Sequence, residues 1–347
     1  ASVYRAQRRG GKGIKGAKTV ENDPVEHLFV TSTHDYLLFF TTKGKVYWQK
    51  VYNIPQQSRE SQGRAVVNLL NLDAAAGETI ADCRAVRDFD QPDHYLMMAT
   101  RKGLVKKTEL KAYSRPLKSG IIAIKLKEDD ELVDCAITKK GDEIVLSTAN
   151  GMAIRFNEAD ARPMGRNTSG VKGVSLGKDD TLVGMVVADP DATLLTACQL
   201  GYGKRTPFGP NAAAPPEGEV SEDNEVAGES APGSAGGSEE ESESEGSSSF
   251  RYRTQRRGGK GLRDIKTTDR NGPVIGIVPV NDDDELMMMT ARGKIQRVKV
   301  SDFNVIGRNT QGVRIMSVDE GDTLAAIVRV PREEREEGEE PVESPEA

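Results

Sequence analysis

The sequence is poor in the residues that build catalytic or metal centres. It holds three cysteines and three histidines in 347 residues. Cys83, Cys135 and Cys198 are far apart and odd in number, which excludes a disulfide framework and fits a reducing compartment. Cys83 and Cys135 stand in parallel apolar contexts, "TIADC" and "LVDC", and read as small core residues. His27, His34 and His94 share no ligand spacing with them, so no zinc site is expected. Aromatics make up only 5% of residues, which disfavours a base-stacking groove for single strands. Tyr47 and Trp48 are expected to pack within or between structural units. No run of 18 apolar residues exists, so no membrane-spanning helix is expected, and no charged-then-apolar leader is seen. Beginning at Ala1 rather than Met, the chain reads as a piece of something longer.

The net charge of −6 hides a segregation. Residues 211–249 carry 11 acidic and no basic side chains, and 332–347 carry eight glutamates against Arg332 and Arg335. Without both segments the body has 46 basic and 35 acidic residues, a net +11. Segment 211–249 is rich in Gly, Ser, Glu and Pro, cannot repay the entropy of ordering, and is expected to be a disordered insertion. The acidic tail 331–347 reads the same way. The structured domain is then 1–330.

Within that body a hairpin unit recurs: "LLFFTTKGKVYWQKV" (37–51), "YLMMATRKGLVKKTEL" (95–110), "EIVLSTANGMAIRF" (143–156), "LLTACQLGYGKRTPF" (194–208) and "ELMMMTARGKIQRVKV" (285–300). Each is an apolar strand, a turn on Gly44, Gly103, Gly151, Gly201 or Gly293, and a strand mixing basic and apolar residues. With the insertion set aside, the glycines recur at roughly 50 residues, the length of a four-stranded blade. A second, connector unit alternates with the hairpins: "SQGRAVVNLL" (61–70), "KSGIIAIKL" (118–126), "TSGVKGVSL" (168–176) and "TQGVRIMSV" (310–318). Two "RRGGKG" segments, at 8–13 and 256–261, occupy the same slot. Six connectors and five hairpins predict an all-β ring of six blades lacking one hairpin.

"QRRGGKG" appears twice, at 7–13 and 255–261. Arginine forks and a lysine point charge suit phosphate oxygens, while the glycines let backbone N–H groups approach a surface. Nothing in the motif requires base edges, so it reads as a phosphate-backbone contact that sets position without sequence choice. Verbatim duplication at equivalent repeat positions argues against a solvated loop that binds nothing. "GKGIKG" at 11–16 satisfies G-x-G-x-x-G, but no strand–helix context surrounds it and the second copy has Asp264 at the third glycine, so no dinucleotide site is expected. No converging carboxylates or histidines suggest an enzyme, and the Asp129/Asp130 and Asp282/Asp283 pairs read as solvated turn residues.

"YRAQRRGGKG" (4–13), "GYGKRTP" and the hairpin turns "TTKG", "TRKG", "TANG" and "TARG" resemble the C-terminal domain of DNA gyrase A, over essentially residues 1–330. That resemblance implies a six-bladed β-pinwheel with strands exchanged between blades and a rim that wraps duplex DNA. It implies a non-catalytic module of an ATP- and Mg2+-dependent topoisomerase that introduces negative supercoils. This domain itself would need no cofactor. Its partners would be double-stranded DNA, the remainder of gyrase A, and gyrase B in an A2B2 assembly, in the cytoplasm at the nucleoid. The sequence departs from the pattern in its second box, its acidic insertion and its missing first hairpin. A topoisomerase IV-like domain without strong wrapping and a protein-interaction propeller remain the alternatives.

The expected DNA contacts begin with the boxes: Gln7, Arg8, Arg9, Gly10, Gly11, Lys12, Gly13 and Lys15, then Gln255, Arg256, Arg257, Gly258, Gly259, Lys260, Gly261 and Arg263. The hairpins add Lys43, Lys45, Arg101, Lys102, Lys204, Arg205, Arg292 and Lys294. The remaining connectors add Arg64, Lys118, Arg166, Lys172, Arg308 and Arg314. Recurring once per unit, these cations predict a basic rim.

Overall fold

The computed structural model describes residues 9–11, 14–15, 31–56, 64–115, 117–211 and 250–330. The composition-based expectations for 211–249 and 331–347 therefore lie, apart from Asn211, outside the described residues. Among the described residues no helix is long and apolar enough to cross a membrane.

Among the described residues five four-stranded antiparallel sheets form an all-β propeller-like repeat. Each is built around one predicted hairpin. In the first blade the hairpin Tyr36–Thr41 and Lys45–Lys50 is flanked by Ile80–Val86 on one side and Ile121–Ile122 on the other. The second combines His94–Thr100 and Leu104–Glu109 with Leu132–Lys139 and Val171–Lys172. The third combines Glu143–Thr148 and Met152–Asn157 with Leu182–Ala188 and Leu262–Arg263. The fourth combines Thr193–Cys198 and Tyr202–Pro207 with Val274–Val280 and Val313–Arg314. The fifth combines Glu285–Thr290 and Lys294–Lys299 with Leu324–Val330 and, from the other end of the chain, Ile14–Lys15.

The two-residue strand of each blade thus comes from the connector of the following unit. The same rule explains why five sheets are found where six blades were expected. Connector 64–70 would serve a hairpin that precedes the first blade, and no such hairpin is among the described residues. Its valines form a short 3-10 turn, Val66–Asn68, and stay exposed at 37% and 46%.

The continuous apolar runs are explained by burial on both faces. In "YLMMAT", Leu96 and Met98 pack into the core shared with the first blade, while Met97 and Ala99 pack into the core shared with the third. The cores therefore lie between blades. The strands Ile80–Val86, Leu132–Lys139, Leu182–Ala188, Val274–Val280 and Leu324–Val330 abut one another in succession and carry the stack. Cys83, Cys135 and Cys198 are free and buried. Tyr47 is buried, and Trp48 packs against Phe89 with ring centroids 5.6 Å apart.

The turn glycines are needed where they stand. Gly151 has φ +80°, and a Cβ there would meet the Ile265 carbonyl oxygen at 2.2 Å. Of the acidic turn residues read as solvated, Asp129, Asp282 and Asp283 are exposed, whereas Asp130 corrects the reading. Asp130 is buried, and its Oδ1 accepts from the backbone N–H groups of Lys102 at 2.9 Å and Glu131 at 2.9 Å. Asp180 and Asp322 do the same for their own hairpin turns. They fasten the acidic turns to the hairpin turns instead of being solvated.

Candidate nucleic-acid interface

The connectors form a belt. In the two-residue strands Ile121–Ile122, Val171–Lys172, Leu262–Arg263 and Val313–Arg314 the first residue is half-buried and the second exposed, because successive side chains point to opposite faces. The exposed positions are Ile122, Lys172, Arg263 and Arg314, so three of these four carry a cation. Lys15 holds the same register on the fifth blade, opposite Lys294.

Backbone hydrogen bonds tie neighbouring connectors together. Lys125 N donates to Thr168 O at 3.0 Å, and Lys266 N to Thr310 O at 2.8 Å. The two boxes dock in one way. Gly258 N donates to Gly173 O at 2.8 Å, Ser175 N to Gly259 O at 2.9 Å, and Ser175 Oγ to Gly258 O at 2.8 Å. In the first box, Gly10 N donates to Ile315 O at 3.0 Å, Ser317 N to Gly11 O at 3.0 Å, and Ser317 Oγ to Gly10 O at 2.7 Å. Gly10 and Gly258 both have positive φ, +77° and +85°. The two boxes therefore sit on one belt, separated by the Arg308–Arg314 connector.

Gln7, Arg8, Lys12 and Gly13 lie outside the described residues. Arg9, Arg256, Gly259 and Lys260 are exposed; Gly10, Gly11 and Gly261 are half-buried. Gln255 is half-buried and its N–H donates to Arg155 O at 2.7 Å. Arg257 grips the preceding unit, its Nε donating to Asp160 O at 3.0 Å and its Nη1 to Lys172 O. Arg64 and Lys118 are exposed and Arg166 is half-buried. Arg308 donates to Arg251 O at 3.0 Å and Arg263 O at 3.4 Å.

Among the hairpin cations Lys43, Arg101, Lys102 and Arg292 are exposed, but Lys204 and Arg205 turn inward and cannot supply the expected contacts. Lys204 is fully buried, 2.6 Å from Asp264 Oδ1, and burial lowers its pKa while Asp264 opposes that shift. Arg205 is 5% exposed and pairs with Asp282. Lys107 likewise pairs with Glu158, and Arg297 with Glu285. Arg155, also inward, lies 2.6 Å from Glu143 Oε2. The turn cations meet carboxylates or backbone carbonyls of the acidic turns. Lys43, Arg101, Asp129, Asp130 and Glu131 line an open cleft of about 520 Å³. Arg101 lies 3.4 Å from Glu131, and Lys102 donates to Glu128 O at 2.9 Å. Arg292 donates to Glu320 O at 3.2 Å, and Lys294 pairs with Asp319. Lys45 is half-buried.

Sequence reasoning passed over the exposed Lys125, Arg253, Lys266 and Arg270 on or beside the belt. Their signal was register within the connector; Lys125 and Lys266 both close an "IK" pair that follows the exchanged strand.

The sequence matches the family described as DNA gyrase C-terminal domain, beta-propeller, over residues 1–32, 35–86, 94–139, 142–189, 251–281 and 284–331. It is 38% identical over 335 residues to DNA gyrase A of Staphylococcus epidermidis, covering 96% of this chain and 33% of that protein. DNA gyrase A of Mycolicibacterium smegmatis is 39% identical, covering 94% of this chain and 34% of that protein. The chain spans about a third of the length of these relatives. A solved DNA gyrase A C-terminal domain superposes with TM-score 0.73 at 24% identity, covering 94% of this chain and 93% of that one. A topoisomerase IV C-terminal domain superposes at 0.65 with 25% identity, covering 86% and 80%. The chain belongs to the DNA gyrase C-terminal domain family.

Proposed function

We propose that this member of the gyrase C-terminal domain family wraps duplex DNA along its connector belt. Phosphates lie against the exposed cations, condensed counterions are released, and contact is made without reading sequence. The observation that carries this is the belt: two identical boxes dock through the same hydrogen bonds, and Lys172, Arg263 and Arg314 occupy one outward register. Bending a short duplex costs on the order of 1–6 kcal/mol, which several phosphate contacts offset.

The ring has six units in this reading. The family matches the chain in six stretches, and among the described residues connector 64–70 has no hairpin to pair with. The chain performs no chemistry. It serves a cytoplasmic type IIA topoisomerase in which the rest of gyrase A and gyrase B, as A2B2, supply cleavage and ATP- and Mg2+-dependent strand passage. The wrap presents a second duplex segment to that machinery for negative supercoiling.

The test is duplex affinity against salt. With about 6–10 phosphate contacts, affinity falls about 10³–10⁵-fold between 50 and 200 mM salt. Reversing Arg9, Arg256, Lys260 and Arg263 to glutamate removes most of that dependence. Salt-independent binding, or none, by the unaltered chain overturns the reading.

A further inference from the structure

Between the two boxes the belt carries an arrangement that neither box explains. Tyr202 follows the turn glycine of the fourth blade and pairs across the ladder with Arg314. The tyrosine is 7% exposed. Arg314 Nη2 donates to its hydroxyl at 3.1 Å, and the guanidinium carbon lies 5.5 Å from the ring centroid. A second guanidinium arrives from Arg270, 5.0 Å from the same centroid. The nearby guanidiniums, Arg270 first and then Arg314, hold the phenol's pKa below its ordinary value.

The loop that bears Arg270 is fastened. Asn271 is fully buried and accepts from Thr268 N at 2.7 Å. Its Nδ2 donates to Lys266 O at 2.8 Å and Gln311 O at 3.1 Å. Arg314 is held by its ladder, and its neighbour Ile315 receives Gly10 of the first box. Two arginines from separate segments therefore converge where the second box's connector ends and the first box docks.

Two guanidiniums brought together repel one another. Among the described residues no carboxylate pairs with either; the tyrosine ring is the surface on which they meet, and its hydroxyl accepts from Arg314. A guanidinium laid against a tyrosine ring keeps a planar fork of N–H donors for a further acceptor. That chemistry fits the two non-bridging oxygens of a phosphodiester.

We propose that Arg270 and Arg314, held in place by Tyr202, form a ready-made seat for one phosphodiester of duplex DNA, joining the tracks of the two boxes into a single path. This rests on the wrapping function proposed above and adds a site between the boxes. Tyr202 is a positioning residue that does not itself touch DNA.

The experiment measures duplex affinity against salt, with hydroxyl-radical footprints, for the unaltered chain, Arg270→Ala/Arg314→Ala, each single change, and Tyr202→Phe. The double variant is expected to lower the slope of log K on log [salt] by about 1. It also loses about tenfold in affinity and loses protection only between the footprints of the boxes. Each single change has nearly the full effect, since one seat is lost either way. Tyr202→Phe keeps the ring and the slope but weakens binding, with its unfolding midpoint unchanged. An unchanged slope and footprint in the double variant overturn the seat while leaving wrapping intact. Absence of salt-dependent binding by the unaltered chain overturns wrapping itself.

Discussion

Lys204 and Lys260 belong to adjacent segments of one repeat, yet they serve opposite ends. Lys204, on the inner hairpin, is fully buried against Asp264. Lys260, on the connector, faces solvent four residues before that same aspartate. Lys107 and Arg205 repeat the first pattern, buried against Glu158 and Asp282; Arg256, Arg263 and Arg314 repeat the second, exposed on the connectors. Position within the repeat, more than residue type, decides whether Lys204 or Lys260 is buried against a carboxylate or left facing solvent.

The largest effect should come from the buried side. Lys204→Ala strands Asp264, which also accepts from Thr196 Oγ1 and the Tyr252 hydroxyl. A loss of about 3–5 kcal/mol is expected in urea unfolding, because a buried charge loses its partner. A cost below about 1 kcal/mol would erase the distinction between the two kinds of cation.

On the exposed side, Arg256→Ala with Lys260→Ala should leave stability within about 0.5 kcal/mol. It should lower the salt slope of duplex binding by about 2. Loss of stability with an unaltered slope would place these residues with the hairpin set.

The two lysines at one hairpin position sharpen the contrast further. Lys106 matches Lys204, but Ala123 stands where Asp264 would be. Its Nζ, buried, donates to Ala123 O at 2.6 Å and to Arg166 O. Burial, with a smaller contribution from Arg166, lowers its pKa to about 7. The unfolded chain, with its lysine at about 10.4, then binds more protons than the folded one between those values. Stability should therefore rise with pH across that window and lie flat below it. Lys106→Met removes that rise, as read from unfolding midpoints at pH 7 to 10. Persistence of the rise would locate it elsewhere.

The smallest effect belongs to the turn cations. Lys43→Ala with Arg101→Ala should change duplex affinity less than twofold, since both line a cleft shared with Asp129, Asp130 and Glu131. A slope change equal to that of the box variants would extend the DNA path across the hairpin turns.

Repetition made the architecture legible. Glycines at a period near 50 marked all five hairpins, and each occurs as written. Strand exchange was an expectation of the family resemblance; its register became visible only when the connector strands were seen to pair with the preceding unit. Within the candidate site, the equivalence of the two boxes was legible in their seven-residue identity, and both dock through matching hydrogen bonds. The burial of Lys204 and Arg205 was not, because their partners Asp264 and Asp282 lie 60 and 77 positions away. Arg270 was missed for a related reason: "TTDRNG" resembles any polar turn until the Asn271 side chain is seen bridging two connectors.

The most direct test of the outward belt is plasmid topology. Nicked circular DNA is sealed by ligase with the chain bound, and its linking number is compared with DNA sealed alone. A shift is expected with the unaltered chain and its loss with Arg8, Arg9, Arg256 and Arg257 changed to alanine. No shift from the unaltered chain, or the same shift from the variant, would contradict the account.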